Sequence, residues 1–233
     1  FFVVACTSPD RSHLDAPTTP PEPPEPPEPL ALCVENSCGS STVLLENIGD
    51  AENQIFTDDG RLFVSGGTNV WEVTRSGNDW LATPIASMDC NFTGLAIRGN
   101  VLYANCGDSS LFAGEITDTP LISPIYTYSG VSLANGMAVD DEGRLYTVDG
   151  PVSGSGLPSP KIVRLTVDPS DPLNITGQET WLDQSLSFPN GLKFKDGLFY
   201  FTDASVVPVE LGAVRTVPLL PDGTAGTVST LAP

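Results

Sequence analysis

Apolar and polar positions alternate along this chain in short paired runs, and the pairs recur four times. The segments are E-N-Q-I-F-T-D-D-G-R-L-F-V-S from Glu52, T-G-L-A-I-R-G-N-V-L-Y-A-N from Thr93, N-G-M-A-V-D-D-E-G-R-L-Y-T-V-D from Asn135 and N-G-L-K-F-K-D-G-L-F-Y-F-T-D from Asn190. Each reads as an apolar strand, a tight turn and a second apolar strand. The turns carry Asp59-Gly60, Gly99-Asn100, Glu142-Gly143 and Asp196-Gly197, residues that suit hairpins. This places the first strands at 53–57, 94–98, 136–140 and 191–195. Two further strand candidates follow each hairpin: 70–74 and 80–85, 111–116 and 121–128, 161–167 and 180–182, 213–219 and 227–231. Four strands per repeat, at intervals of 41, 42 and 55 residues, predict an all-β chain, a β-propeller of four-stranded antiparallel blades. Residues 42–46 form a spare strand, suited to closing the ring as the outer strand of the last blade. A fifth inner strand falls due where the chain reaches Pro233, so the pattern predicts a C-terminally incomplete propeller over residues 31–233.

Aligned on their turns, the repeats put Glu52, Thr93, Asn135 and Asn190 in one column. In a radial repeat, one column is one ring about the axis. Oxygen ligands from Glu52, Asn135 and Asn190 on such a ring have the makings of a hard-cation site, with Thr93 expected to line the channel. Asn-Gly is also a favoured turn pair. Here, however, the turns lie several residues later, so Asn135-Gly136 and Asn190-Gly191 open strands, where glycine permits close backbone approach. Asp149 and Asp203, at strand ends, read as loop caps.

Composition narrows the partners. The formal charge is −19, and residues 31–233 carry 9 Lys and Arg against 24 Asp and Glu. Such a surface argues against binding a phosphate backbone, so no nucleic-acid partner is expected. The only histidine, His13, precedes the repeats, which excludes a Ser-His-Asp triad in the folded part.

The N-terminal residues add an address. Phe1-Phe2-Val3-Val4-Ala5-Cys6 resembles the end of a signal region and lipobox of bacterial lipoproteins (residues 1–6), which implies lipidation at Cys6. Residues 7–30 contain a Pro-Pro-Glu period that suits a polyproline II tether; a proline-rich ligand for a partner domain is the alternative. The expected location is the bacterial cell envelope, periplasmic or surface-exposed, with membrane contact only through the lipid. The four remaining cysteines suit an oxidising compartment as Cys33–Cys38 and Cys90–Cys106 disulfides. The second pair follows from the hairpin, because Cys90 precedes its first strand and Cys106 ends its second.

The A-N-G-M-A-V-D, F-P-N-G-L-K-F and G-R-L-Y segments resemble the gluconolactonase/senescence-marker-protein family and its relatives, the strictosidine synthases, paraoxonases and squid-type phosphotriesterase. The resemblance covers roughly residues 42–233. It implies a six-bladed propeller, of which about four blades are present, and a divalent cation, usually calcium, in the central channel. It further implies Glu52, Asn135 and Asn190 as ligands, and a fourth, an Asp, one blade beyond Pro233. The sugar-binding Arg and Glu of gluconolactonases find no match here. The expected function is calcium-dependent hydrolysis of a lactone or related ester, with a small-molecule substrate in the channel. The alternative is a non-catalytic propeller lipoprotein that binds a ligand or partner.

Overall fold

Alternation with period two buries one side of each run and exposes the other, and four such runs per repeat pair into one sheet. The computed structural model describes residues 43–46, 48–150, 159–204 and 212–232, and every regular element among them is a strand. Blade 1 comprises β1 (Ala51–Phe56), β2 (Leu62–Gly66), β3 (Asn69–Ser76) and β4 (Asp79–Ser87). Blade 2 comprises β5 (Phe92–Arg98), β6 (Val101–Cys106), β7 (Ser110–Glu115) and β8 (Ser123–Thr127). Blade 3 comprises β9 (Ala134–Val139), β10 (Leu145–Asp149), β11 (Lys161–Val167) and β12 (Ile175–Leu182). Blade 4 comprises β13 (Pro189–Lys195), β14 (Leu198–Asp203), β15 (Ala213–Pro218) and β16 (Ser229–Ala232). Every blade is an antiparallel meander in chain order, and the four form a β-propeller.

Each inner strand begins two residues before the position its alternation predicts. The cause is the same in all four. Register with the second strand slips by one residue between Ala51 and Asn53, between Phe92 and Leu95, between Ala134 and Met137, and between Pro189 and Leu192. A single extra residue interrupts the period-two signal, so the pattern alone hides the strand's first residues.

One expectation is corrected. Val43–Glu46 form no strand, and the outer strand of blade 4 is its own β16, paired to β15. That pairing occupies the edge of β15 and leaves Val43 and Leu44 72% and 51% exposed. Cys6, the 7–30 linker and the Cys33–Cys38 pair lie outside the described residues.

Packing between blades is apolar at three seams. Phe63, Val70 and Ile85 of blade 1 meet Phe92, Leu102 and Phe112 of blade 2. Tyr103 and Leu111 of blade 2 share a cluster with Met137, Leu145 and Val163 of blade 3. Tyr146, Ile162 and Trp181 of blade 3 pack on Leu192, Phe199, Phe201 and Val217 of blade 4. Tyr146 and Phe199 lie 4.4 Å apart between centroids, and Trp181 and Phe199 4.9 Å. A hairpin tip of blade 4 reinforces the third seam. The Gly223 carbonyl accepts from the Trp181 indole at 3.0 Å and from Arg164 at 2.6 Å.

The seam between blades 4 and 1 is built differently. Register places Lys193, Tyr200 and Thr216 on the face of blade 4 opposite Phe199 and Val217. It places Gln54, Val64 and Trp71 together on the corresponding face of blade 1. Instead of an apolar core, a cavity of about 490 Å³ is found here, lined by Ala51, Glu52, Asn53, Gln54, Val64 and Lys193.

Candidate functional site

The predicted column coincides with the bulges. Glu52, Thr93-Gly94, Asn135-Gly136 and Asn190-Gly191 occupy the irregular stretch of their strands. A bulge re-aims a side chain and re-routes the backbone, and four equivalent bulges form a ring about the axis. The glycines explain how the strands meet there. A Cβ on Gly94 would collide with the Asn135 carbonyl, and one on Gly136 with the Asn190 carbonyl. Only glycine allows the inner strands of blades 2, 3 and 4 to approach this closely. Gly191 differs, because a Cβ there would meet only Thr202 of its own blade. Close approach therefore stops at the seam between blades 4 and 1.

The polar groups at the ring divide into two kinds. Some are committed to the scaffold. Thr93 is buried, and its hydroxyl donates to the Ala134 carbonyl at 2.8 Å, which ties blade 2 to blade 3. Ser65 donates to the Thr93 carbonyl, which ties blade 1 to blade 2. Asn105, fully buried on β6, donates to the Asn135 carbonyl at 2.6 Å and to the Thr147 hydroxyl at 2.5 Å, and accepts from the Tyr128 hydroxyl at 2.7 Å. Burial pushes the Tyr128 pKa far above that of an ordinary tyrosine, so its hydroxyl remains a donor. Sequence reasoning missed Asn105. The available signal was an Asn inside an otherwise apolar strand, where a buried amide needs partners.

The other kind is uncommitted. Among the described residues, the side chains of Glu52, Asn135 and Asn190 make no hydrogen bond or ion pair. Asn135 is buried, Asn190 half-buried and Glu52 exposed. All three present oxygen, the donor chemistry of a hard cation, so the residues fit such an ion by donor type. Their surroundings differ. Glu52 lines the cavity at the seam of blades 4 and 1. Asn190 lines a separate, mostly apolar cavity of about 310 Å³ with Phe188, Thr202, Ala213 and Val214. Asn135 lines neither. The one cluster of His, Cys, Asp or Glu ligand atoms with metal-like spacing among the described residues is Cys90, Cys106 and Asp108, and its thiols are joined as a disulfide.

Asp149 and Asp203 are caps, as their position at strand ends suggested. Asp149 accepts from the Ser132 and Leu133 amides at 3.0 and 2.9 Å, and Lys161 approaches it at 3.4 Å. Asp203 accepts from the Phe188 amide at 2.7 Å, and Arg215 approaches at 3.2 Å. Each pins the loop that leads into an inner strand, and so fixes where Asn135 and Asn190 begin.

Comparison by sequence finds no matching family model and no matching curated protein. Comparison by structure finds propellers. The WD40 repeats of RRP9 superpose with a TM-score of 0.55 at 12% identity, over 82% of this chain and 53% of that one. A protein from the GH130 family of mannoside phosphorylases, described as containing glycoside hydrolases that target β-1,2 mannosidic linkages in Candida mannan, gives 0.50 at 12% identity. That match covers 75% of this chain and 66% of the other. Glutaminyl cyclase from Myxococcus xanthus gives 0.48 at 18% identity, over 78% of this chain and 70% of that one. The chain thus spans 53–70% of the length of these structures, and at such identities the likeness is one of fold.

Proposed function

We propose that the ring of bulges holds a divalent cation, calcium by preference, through Glu52, Asn135 and Asn190, and that the propeller hydrolyses a lactone or related ester there. One observation carries this reading. At four equivalent bulges, Thr93 and its neighbour Asn105 are consumed by inter-blade hydrogen bonds, whereas the side-chain oxygens of Glu52, Asn135 and Asn190 have no hydrogen-bond partner among the described residues. Three oxygen-bearing side chains in one column, uncommitted to the scaffold, are free to turn to a partner from outside the chain. When bound, a cation of this type would supply a Lewis acid that polarises a carbonyl oxygen.

The chain's own residues set the rest. Glu52 brings the only formal charge of the three, and Asn135 and Asn190 orient neutral oxygens. Gly94 and Gly136 hold the inner strands close, while the Asp149 and Asp203 caps fix the strand entries. The apolar cavity lined by Asn190 offers a substrate volume beside the ring. Attachment to the envelope through a lipid on Cys6 belongs to the same proposal, and Cys6→Ser is expected to release the protein from membranes.

The second reading, a ligand-binding propeller without turnover, draws on the separation of Glu52 and Asn190 into different cavities. Calorimetry with calcium, run beside hydrolysis of a chromogenic lactone, separates the two. Saturable calcium binding that weakens at least about tenfold in Glu52→Gln and falls in Asn190→Ala supports the site. Turnover that follows the same order supports the hydrolase. Calcium binding without turnover favours the binding protein, and affinity indifferent to both substitutions overturns the shared site.

A further inference from the structure

Blade 2 keeps two sulfurs and a carboxylate in one corner that the ring of bulges does not use. Cys90 lies in the loop before β5, Cys106 ends β6, and Asp108 stands in the turn between β6 and β7. Their ligand atoms, two sulfurs and a carboxylate oxygen, lie within 4.8 Å of one another. The sulfurs are joined as a disulfide, which keeps them neutral and unable to act as thiolate ligands. Asp108 is exposed. Its Oδ1 accepts from the Ser110 amide at 3.0 Å, and its Oδ2 has no hydrogen-bond partner among the described residues.

The corner is held by more than the disulfide. Cys106 pairs with Phe92 across the two strands. The Gly107 amide donates to the Asn91 carbonyl at 2.8 Å, so the turn that carries Asp108 is fastened to the loop that carries Cys90. The Ser109 amide donates to the Cys106 carbonyl at 3.1 Å and closes that turn. None of these bonds involves sulfur, so none is broken when the S–S bond is. The two sulfurs also differ. Cys106 is fully buried in a cluster with Phe92, Leu102 and Phe112, whereas Cys90 is half-buried at its edge. A reductant therefore meets Cys90 first. A thiolate left at Cys106 has apolar neighbours that do not stabilise its charge, and a divalent cation seated between the two sulfurs does.

We infer that reduction of the Cys90–Cys106 disulfide uncovers a zinc site made of Cys90, Cys106 and Asp108, with water in the fourth position. Two thiolates with one carboxylate select zinc over a hard cation such as calcium. Tetrahedral zinc, with Zn–S and Zn–O bonds of about 2.3 and 2.0 Å, sets its sulfurs about 3.8 Å apart and the oxygen about 3.5 Å from each. The present spread of at most 4.8 Å is within side-chain rotation of those spans. The reductant is a dithiol, and the step is disulfide exchange. Its thiolate attacks Cys90 Sγ; the S–S bond breaks, and the electron pair goes to Cys106 Sγ, which takes up a proton. The second sulfur of the dithiol then attacks the mixed disulfide, closes the reductant's own disulfide and releases Cys90. Zinc binding displaces one proton from each thiol. The inference does not rest on the calcium ring, because none of the residues proposed for the ring takes part.

The test uses the full chain carrying Cys6→Ser, Cys33→Ser and Cys38→Ser, so that Cys90 and Cys106 are its only thiols. The protein is reduced with dithiothreitol, freed of it under argon and titrated with cobalt(II), whose thiolate charge-transfer band reports bonded sulfur; zinc then displaces the cobalt. The expected result is saturation at one metal per chain in the reduced protein and no such band in the oxidised one, which has the same ring. Asp108→Asn keeps an acceptor for the Ser110 amide, yet it should weaken zinc binding at least about tenfold, since even the outer partners of zinc ligands are worth that much. Zinc should also raise the Tm of the reduced protein more than that of reduced Asp108→Asn. Absence of the band, saturation at half a metal per chain, or zinc affinity unchanged in Asp108→Asn overturns the inference. So does a reduced protein that circular dichroism shows unfolded and that zinc does not refold.

Discussion

Cys106 and Asp149 stand at the same place in successive blades and fasten the same joint by different chemistry. Cys106 ends β6 opposite Phe92, the first residue of its inner strand, and Asp149 ends β10 opposite Ala134, the first residue of its own. Cys106 is bonded to Cys90 in the loop before β5, with 5.9 Å between Cα atoms. Asp149 accepts backbone N–H groups from Ser132 and Leu133 in the loop before β9. Asp203 repeats the arrangement in blade 4 with Ser187 and Phe188. A covalent tie in one blade and a carboxylate cap in two others thus hold the inner strands in register at the ring.

The covalent tie should be worth the chain entropy it removes. Cys90→Ala with Cys106→Ala is expected to lower stability by about 3 kcal/mol, given a sequence separation of 16. Urea denaturation of the double variant, beside reduced wild type, measures it. Unchanged stability in both would show that the loop is held by packing alone.

The carboxylate caps should respond to loss of charge. Asp149→Asn and Asp203→Asn keep the shape but strip a buried anion from Lys161 or Arg215, and each is expected to cost about 2–4 kcal/mol. Thermal unfolding checks the cost. Hydrogen exchange at Leu133 and Phe188 checks the mechanism, because those amides should lose protection first.

Asparagines near the ring should separate into scaffold and ligand classes. Asn105→Ala removes partners from the Asn135 carbonyl, Thr147 and Tyr128, and is expected to cost about 3 kcal/mol. Asn190→Ala breaks no described side-chain hydrogen bond and should stay within about 1 kcal/mol of wild type. Its effect should appear in calcium affinity instead. Equal destabilisation by the two would remove the distinction on which the cation site rests.

Acid should loosen the third seam through Asp222. The Thr224 hydroxyl and amide donate to its carboxylate and hold its pKa below the ordinary value of 3.8. A depressed carboxylate stabilises fully above its unfolded pKa, and that contribution is lost as the pH falls through the folded one. The tip that presents the Gly223 carbonyl to Trp181 should therefore open only in strong acid. In a Trp71→Phe, Trp80→Phe background, Trp181 fluorescence reports this, and Thr224→Val should move the transition to higher pH. A midpoint unmoved by Thr224→Val would place the acid sensitivity elsewhere.

Local pattern determined most of the architecture. Alternation with period two, interrupted by Asp-Gly, Glu-Gly and Gly-Asn turns, places the four hairpins, because both signals act within a few residues of chain. The column of Glu52, Thr93, Asn135 and Asn190 was legible for the same reason: equivalent residues in equivalent repeats meet equivalent backbone. The Cys90–Cys106 bond followed from hairpin geometry. What only the tertiary structure decided is how Thr93 in that column is used. Thr93 becomes a tie between blades because the Ala134 carbonyl of the next blade lies within reach of its hydroxyl, a partner 41 residues away. Asn105 gains its role in the same manner, from Asn135, Thr147 and Tyr128. The outer edge of blade 4 went to β16 because a neighbouring segment pairs there at a smaller loop-closure cost than a distant one. The contrast among seams also belongs to the assembled ring. Phe199 and Tyr200 alternate plainly in the sequence, but only the packing of blades turns one side into a core and leaves the other, with Lys193, facing a cavity.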